Sequence, residues 1–284
     1  MRTALVTVVR GRHEHLRRQR VWIARLEPQP LAHVVVSMGD PNIGDVLDEN
    51  SAVPTRHHTI PATRELPLAA ARNLGADVAA RTGAEALVLL DVDCLPEERM
   101  IGDYEAALNT CADAVRPAAV CGRVRYLPPG IDDADHTPVN LAELGRDHPL
   151  RVVPGPGELV EGDPRMLWSL NVGMTVADWR TVGGFNEAYI GYGGEDTDFG
   201  QRLAAAGGAM WWTSGAGAFH QYHPVSDPPV EHVHAIVRNA NLFRSKWGFE
   251  PMDGWLSAFE RLGLAERTPD GWRTTPSGEL SRQE

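Results

Sequence analysis

Short apolar runs alternate with helix-like segments through the first half of the chain. TALVTVV (3–9) is an unbroken run rich in β-branched residues, the pattern of a buried strand. RHEHLRRQRVWIARL (12–26) then places Leu16, Trp22, Ile23 and Leu26 on roughly one helical face. AHVVVSM (32–38) predicts a second strand, PNIGDVLDENSAVP a loop, and RHHTI (56–60) a short third strand. PLAAARNLGADVAART (67–82) opens on proline, is filled with alanine and stops at Gly83, so it predicts a helix. ALVLL (86–90) follows as a fully buried strand. This alternation predicts an α/β fold with a mostly parallel sheet flanked by helices. Ligands in such sheets bind beyond the carboxyl ends of the strands, where Asp91 and Asp93 of DVD stand.

The second half is less regular. A helix near 98–114 and a strand near 118–126 are followed by segments rich in proline, glycine and acids. The later of these, 148–168, reads as a lid over a site that shapes acceptor choice rather than as a linker. WSLNVGMTV (168–176) predicts a strand, ADWRTVGGF a short helix, and GYGGEDTDFGQRLAAAGG a glycine-rich turn feeding a helix from about 195 to 206. AMWWTSG is a strand, AFHQYHP an exit loop and EHVHAIVRNANLFRSKWG a final helix, whose His232 and His234 read as surface residues. The tail from Glu266 reads as weakly structured.

Composition narrows the chemistry. At 284 residues with 43% hydrophobic and 23% charged residues, the chain is an ordinary globular one able to bury a large core. No apolar run reaches the ~18 residues of a spanning helix. Three cysteines without a C-x-x-C pair fit a reducing, cytosolic setting, with peripheral membrane attachment as the alternative. A net charge of −11 argues against wrapping nucleic acid. Of 27 basic residues only Lys246 is a lysine, expected at the surface, and it follows no glycine-rich run, so P-loop and kinase chemistry drop out. No G-x-S-x-G occurs either.

Five small constellations remain. Asp91 and Asp93, at i and i+2 in an extended segment, would point to one face and favour a divalent cation of the magnesium or manganese type, a hydrogen-bonded ligand or protonation of one acid, unless they merely bond backbone amides in a strand-end turn. Glu195, Asp196 and Asp198 follow glycines 191, 193 and 194, which suggest backbone brought close to a ligand, although acids in a first turn also cap a helix. His220 and His223 in FHQYHP are candidate ligands, with no cysteines or H-E-x-x-H helix to make a zinc site. Arg72, Arg10 and Arg12 fall near element ends at the ligand edge, where a diphosphate would need cations. Trp211 and Trp212 point to opposite faces of their strand, one into the core and the other either a platform for a sugar ring or, as the favoured reading, core packing as well.

Taken in order, TVVRGR, the ARN helix, DVD, NVGM, GGFNEAYIGYGGEDTDF and FHQYH resemble metal-dependent GT-A glycosyltransferases of family 2. From 165 to 223 the chain is also similar to the galactosyltransferase motif of β-1,4-galactosyltransferases and polypeptide N-acetylgalactosaminyltransferases. The resemblance covers roughly residues 3–223. It implies a GT-A, Rossmann-like sheet with a smaller acceptor-side subregion. Residues 1–250 would be one domain, with a nucleotide-sugar-binding half (1–125) and an acceptor and catalytic half (165–250), followed by a C-terminal helix and tail (251–284).

The implied chemistry moves a sugar from a nucleoside-diphosphate donor, UDP-linked by expectation, to an acceptor hydroxyl with the help of Mn2+ or Mg2+. Asp93 and His220 would hold the metal, with Asp91 and His223 as second choices. Arg10, Asp40, Arg72, Asp91 and Gly173 would line the donor. Glu195 would orient the acceptor and Asp196 would be the general base, taking the proton only as the new bond forms. Trp212, Tyr192 and Gly194 would border the acceptor, although the motif often carries tryptophan where Tyr192 stands. Aspartate rather than asparagine after Glu195 favours inversion at the anomeric carbon. The alternatives are a sugar nucleotidyltransferase, which would want a lysine-bearing glycine-rich loop after the first strand, and a binding module without turnover.

Overall fold

The computed structural model describes residues 1–47, 52–62, 64–112 and 115–280. The expected loop after the second strand contains a short helix, Ile43–Leu47, and its later part, like the end of the 98–114 helix, lies outside the described residues. Eight strands form the main sheet, in the order Thr55–Ile60, Ala32–Met38, Thr3–Val9, Ala86–Leu90, Asn171–Thr175, Ala118–Cys121, Ala209–Thr213 and Leu159–Gly162. Six run one way; Asn171–Thr175 and Leu159–Gly162 run against them. The predicted mostly parallel α/β sheet is therefore what these residues form. Its unbroken apolar strands are those buried on both faces: every residue of Thr3–Val9, Ala32–Met38 and Ala86–Leu90 is inaccessible. The alanine-rich helix Leu68–Arg81 lies across the first two strands, close enough that a Cβ at Gly75 would fall 2.3 Å from Val6.

A second, four-stranded sheet was not legible in the hydrophobic pattern, and it positions the site. Its order is Cys94–Pro96, Ala218–His220, Val124–Tyr126 and Arg146–Asp147. The single strand expected near 118–126 is two short ones, in different sheets. Pairing in this small sheet sets His220 opposite Cys94 on one side and Tyr126 on the other, and Gln221 donates its N–H to the Asp93 carbonyl at 2.7 Å. Residues 126 positions apart in sequence thereby become neighbours.

The tail departs from expectation. Ala265–Thr268 and Gly271–Thr274 form a hairpin, and its buried Trp272 exchanges backbone hydrogen bonds with the Asn241 side chain at 2.8 and 2.7 Å. With helices Val233–Trp247 and Asp253–Arg261 it closes a satellite core around Ile236, Leu256 and Phe259. The short strands carried too few alternating residues to stand out in the sequence. Among the described residues no helix is long and apolar enough to cross a membrane. All three cysteines are free and buried.

Candidate functional site

Asp91 and Asp93 do not share a face. Beyond the Ala86–Leu90 strand the chain turns at once, Cys94 donating its N–H to the Asp91 carbonyl at 2.9 Å, so the alternation of an extended segment does not apply. Each carboxylate acquires its own counter-charge. Asp91 lies 3.4 Å from an Arg72 nitrogen. Burial, together with repulsion from Asp93 and Asp196, still raises its pKa to about 6 against the pull of Arg72. Asp93 is 15% exposed; desolvation would raise its pKa, but His220, His223 and Arg12 outweigh that and pull it down to about 2.

The His220 and His223 Nε2 atoms each stand 3.4 Å from one oxygen of Asp93. One ligand atom from each of the three lies within 4.8 Å of the others. Donors that share one cation at bonds of ~2.1 Å lie roughly 3–4 Å apart, so the two 3.4 Å separations fit and the cluster as a whole would tighten slightly around an ion. The chemistry fits too. Burial, ahead of the opposing Asp93 charge, lowers the His220 pKa, which leaves a neutral imidazole with a lone pair to offer. Arg12 reaches to 3.9 Å of Asp93 with a buried Nη1 that lacks a hydrogen-bond partner. Asp93 and His220 are thus brought together as expected, and His223 joins them; Asp91, the other second choice, does not.

On the opposite side of Asp91, Arg72 is a buried strut rather than a nucleotide contact. It is 5% exposed and meets Glu195 at 3.1 Å and Asp196 at 3.8 Å as well as Asp91. Glu195 spends Oε1 on Arg72 while its Oε2 is buried without a partner. Burial first, then the Asp196 charge, raise its pKa to about 7 despite Arg72. Asp196 accepts the Ser169 N–H on Oδ2 at 3.1 Å, which leaves Oδ1 without a hydrogen-bond partner.

The raised pKa of Glu195 has a sign that can be measured. In the unfolded chain a glutamate ionises near 4.5, whereas here it holds its proton to about 7. The unfolded state therefore loses its proton first, and stability falls as pH rises between those values and is level above them. Glu195→Gln should remove that fall, making the metal-free variant roughly 3 kcal/mol more stable than wild type at pH 8 and little different at pH 4.5. Urea unfolding at the two pH values checks this, and a pH-independent difference would contradict it.

Asp198, the third acid of the cluster, is structural. It is fully buried and accepts from Lys246 Nζ at 2.7 Å, Trp247 Nε1 at 2.8 Å and Tyr189 Oη at 3.4 Å. Lys246 lies at the surface, as expected, and from there is that acid's ion-pair partner. The glycines before Glu195 also serve packing. Gly194 has φ +90°, and a Cβ there would meet the Tyr189 ring at 3.2 Å; at Gly191 it would meet Ala235 at 2.7 Å and at Gly193 Met252 at 2.7 Å. Asn239 donates to the carbonyls of Ile190, Tyr192 and Gly193, so helix Val233–Trp247 holds this turn. Gly194 faces protein, not an acceptor.

Three further expectations are revised. Gly173 lies mid-sheet, where a Cβ would fall 2.5 Å from the Tyr104 ring, so it admits Tyr104 rather than a donor sugar. The Asp40 carboxylate is taken up by the N–H groups of Gly11 at 2.7 Å and Asn42 at 3.0 Å and by His13 at 3.0 Å, which ties the two loops at the sheet edge together. Those bonds outweigh its burial and lower its pKa. Trp212 is 3% exposed, in the core, and offers no open platform. Arg10 is exposed at the end of its strand. Tyr192 is half-exposed and stacks on His232, ring centres 4.8 Å apart, with Trp255 at 5.7 Å. Neither His232 nor Trp255 had a motif to mark it. Also missed was a file of rings next to the metal-ligand cluster: His220 stacks on Tyr126 at 4.7 Å, Tyr126 meets His148 at 5.7 Å, and His148 meets Trp168 at 5.0 Å. The small-sheet pairing creates it.

Residues 163–224 match the family described as N-terminal domain of galactosyltransferase. Over 41 residues, 14% of this chain, the sequence is 52% identical to validoxylamine A glucosyltransferase of Streptomyces hygroscopicus subsp. jinggangensis (strain 5008), and the match spans 10% of that protein's length. The structure is similar to GalNAc-T7 crystallised with UDP, GalNAc and Mn2+, with a TM-score of 0.56, 14% identity, and coverage of 91% of this chain and 53% of that one. It is similar also to S. aureus TarS 1-349 in complex with UDP, with a TM-score of 0.57, 11% identity, and coverage of 90% and 75%. The chain has the GT-A fold of nucleotide-sugar glycosyltransferases.

Proposed function

We propose that this protein is a metal-dependent, inverting glycosyltransferase that moves a sugar from a UDP-sugar to an acceptor hydroxyl. The observation that carries the reading is the convergence of Asp93, His220 and His223 beside Arg12, with Asp196 across the Asp91–Arg72 pair. The matched galactosyltransferase segment and the UDP-bound structural relatives support it. Asp93, His220 and His223 would hold Mn2+ or Mg2+. When bound, the ion supplies Lewis-acid stabilisation of the negative charge that builds on the departing diphosphate.

The chain's own groups do the rest. Arg12 offers its unpartnered nitrogen toward that diphosphate. Ser169 fixes the Asp196 carboxylate through Oδ2 and Arg72 faces its Oδ1, and the carboxylate so held receives the acceptor proton as the hydroxyl attacks. Arg72 offsets the clustered charge of Asp91, Glu195 and Asp196 and holds the three in register. Glu195, able to keep its proton near neutrality, presents Oε2 as a hydrogen-bond donor or acceptor to the acceptor substrate.

The test is thermal stabilisation by nucleoside diphosphates and nucleotide sugars with and without manganese. A ligand that binds only the folded state at about 100 times its Kd adds roughly 2.7 kcal/mol. UDP and one or more UDP-sugars should raise the melting temperature with manganese and lose that effect in EDTA. Equal stabilisation with and without the ion would reject metal dependence, and stabilisation by none of the nucleotides would reject the reading.

A further inference from the structure

The lid segment shows an inverted polarity around residue 151. Leu150, Val152 and Val153 are 63%, 49% and 40% exposed, while Arg151 between them is 8% exposed. Its guanidinium lies 5.2 Å from the centre of the Trp168 ring and 5.0 Å from that of Trp212. None of its three nitrogens has a hydrogen-bond partner among the described residues. Two aromatic faces return part of the desolvation cost of a buried cation, but they leave every N–H donor unused. A guanidinium presents those donors as a planar fork that matches a carboxylate or a phosphate. The place is built for an anion that the chain itself does not provide.

Its position says which substrate brings the anion. The diphosphate end of the proposed site has its own cations around Asp93. Arg151 joins the ring file at Trp168, the ring that meets His148. Its charge reaches His148, Tyr126 and Cys121, the last of which also senses Asp196. Ser169, the residue after Trp168, is the one that donates its N–H to Asp196. An acceptor whose hydroxyl meets Asp196 thus extends along Trp168 toward the guanidinium, and aromatic faces of this kind suit sugar rings.

We propose that Arg151, clasped between Trp168 and Trp212, is an acceptor-binding residue that selects anionic saccharide acceptors by pairing with their carboxylate or phosphate. This rests on the transferase reading above, and the experiment separates the two. Titration calorimetry first measures UDP with manganese alone; failure there counts against the transferase reading and leaves the saccharide titrations to be read without nucleotide. Glucose 6-phosphate, methyl β-glucuronide and methyl β-glucoside are then titrated.

Wild type should bind the two anionic probes at least tenfold more tightly than the neutral glucoside, with the preference shrinking in 0.5 M salt. Arg151→Gln should abolish the preference while UDP affinity stays within twofold. Equal binding of all three saccharides to wild type, or a preference that survives in Arg151→Gln, overturns the proposal. UDP-glucuronate against UDP-glucose is the second arm: if the variant loses discrimination between those donors and not between the saccharides, the anion belongs to the donor and the proposal is wrong. Should Arg151→Gln fail to fold, Arg151→Met keeps an unbranched chain between the two rings, and the wild-type comparison decides without any variant.

Discussion

Asp196→Asn should lower UDP release from the best donor by about 1,000-fold, the middle of the range for losing a positioned base, while manganese-dependent UDP binding stays near that of wild type. The substitution is close to isosteric. An asparagine oxygen can still accept the Ser169 N–H that Oδ2 accepts at 3.1 Å, so the backbone around the helix start need not move. What changes is basicity: the carboxylate, whose Oδ1 faces Arg72 at 3.8 Å, becomes a neutral amide with no capacity to take a proton. The variant also removes one of the three acids around Arg72, which eases repulsion on Glu195 and Asp91 and should not weaken the fold. UDP release in water alone and with an acceptor panel, beside calorimetry of UDP, reads both halves. Activity within tenfold of wild type would take the base role away from Asp196; loss of UDP binding in parallel would make the residue structural.

How far this site could be read from sequence depended on whether a residue's role was local. The strands with unbroken apolar runs were legible because burial on both faces leaves no polar positions. His220 was legible through its spacing from Glu195 in the resembled motif. Arg72 was marked by the ARN helix, yet its role was not legible. Whether an arginine at a helix face meets a nucleotide or three carboxylates is decided by a contact 123 residues away in sequence, Glu195. The same holds for the DVD pair. Alternation in an extended strand predicted a shared cation, and one turn hydrogen bond, Cys94 to Asp91, rotates the two acids toward different partners. Glycines 191, 193 and 194 were read as ligand-facing because their need for φ > 0 is visible, but what occupies the space beside them is not. Tyr126, His148 and Trp168 carry no local signal at all, since strands of two or three residues pair only through their neighbours.

Asp93→Ala should abolish the manganese-dependent part of UDP stabilisation and lower UDP release about 1,000-fold or more. Among the described residues Asp93 is the sole carboxylate of the candidate ligand set, with His220 and His223 bracketing its two oxygens at 3.4 Å. Imidazole ligands bring no negative charge to offset a divalent cation, so their removal one at a time should weaken manganese less than removal of the acid. The metal-free fold should tolerate the change. Asp93 is a part-exposed acid whose charge also repels Asp91, so an alanine there relieves that repulsion and Asp91 moves toward the ordinary carboxylate range. Melting curves of wild type, Asp93→Ala, His220→Ala and His223→Ala, each with UDP in manganese and in EDTA, give the comparison. If Asp93→Ala keeps the full manganese-dependent shift while the histidine variants lose it, the ion is held elsewhere and the ligand set assigned to this cluster is wrong. If all four proteins respond alike, the cluster holds no metal and the carboxylate at 93 serves only to position the two imidazoles and Arg12.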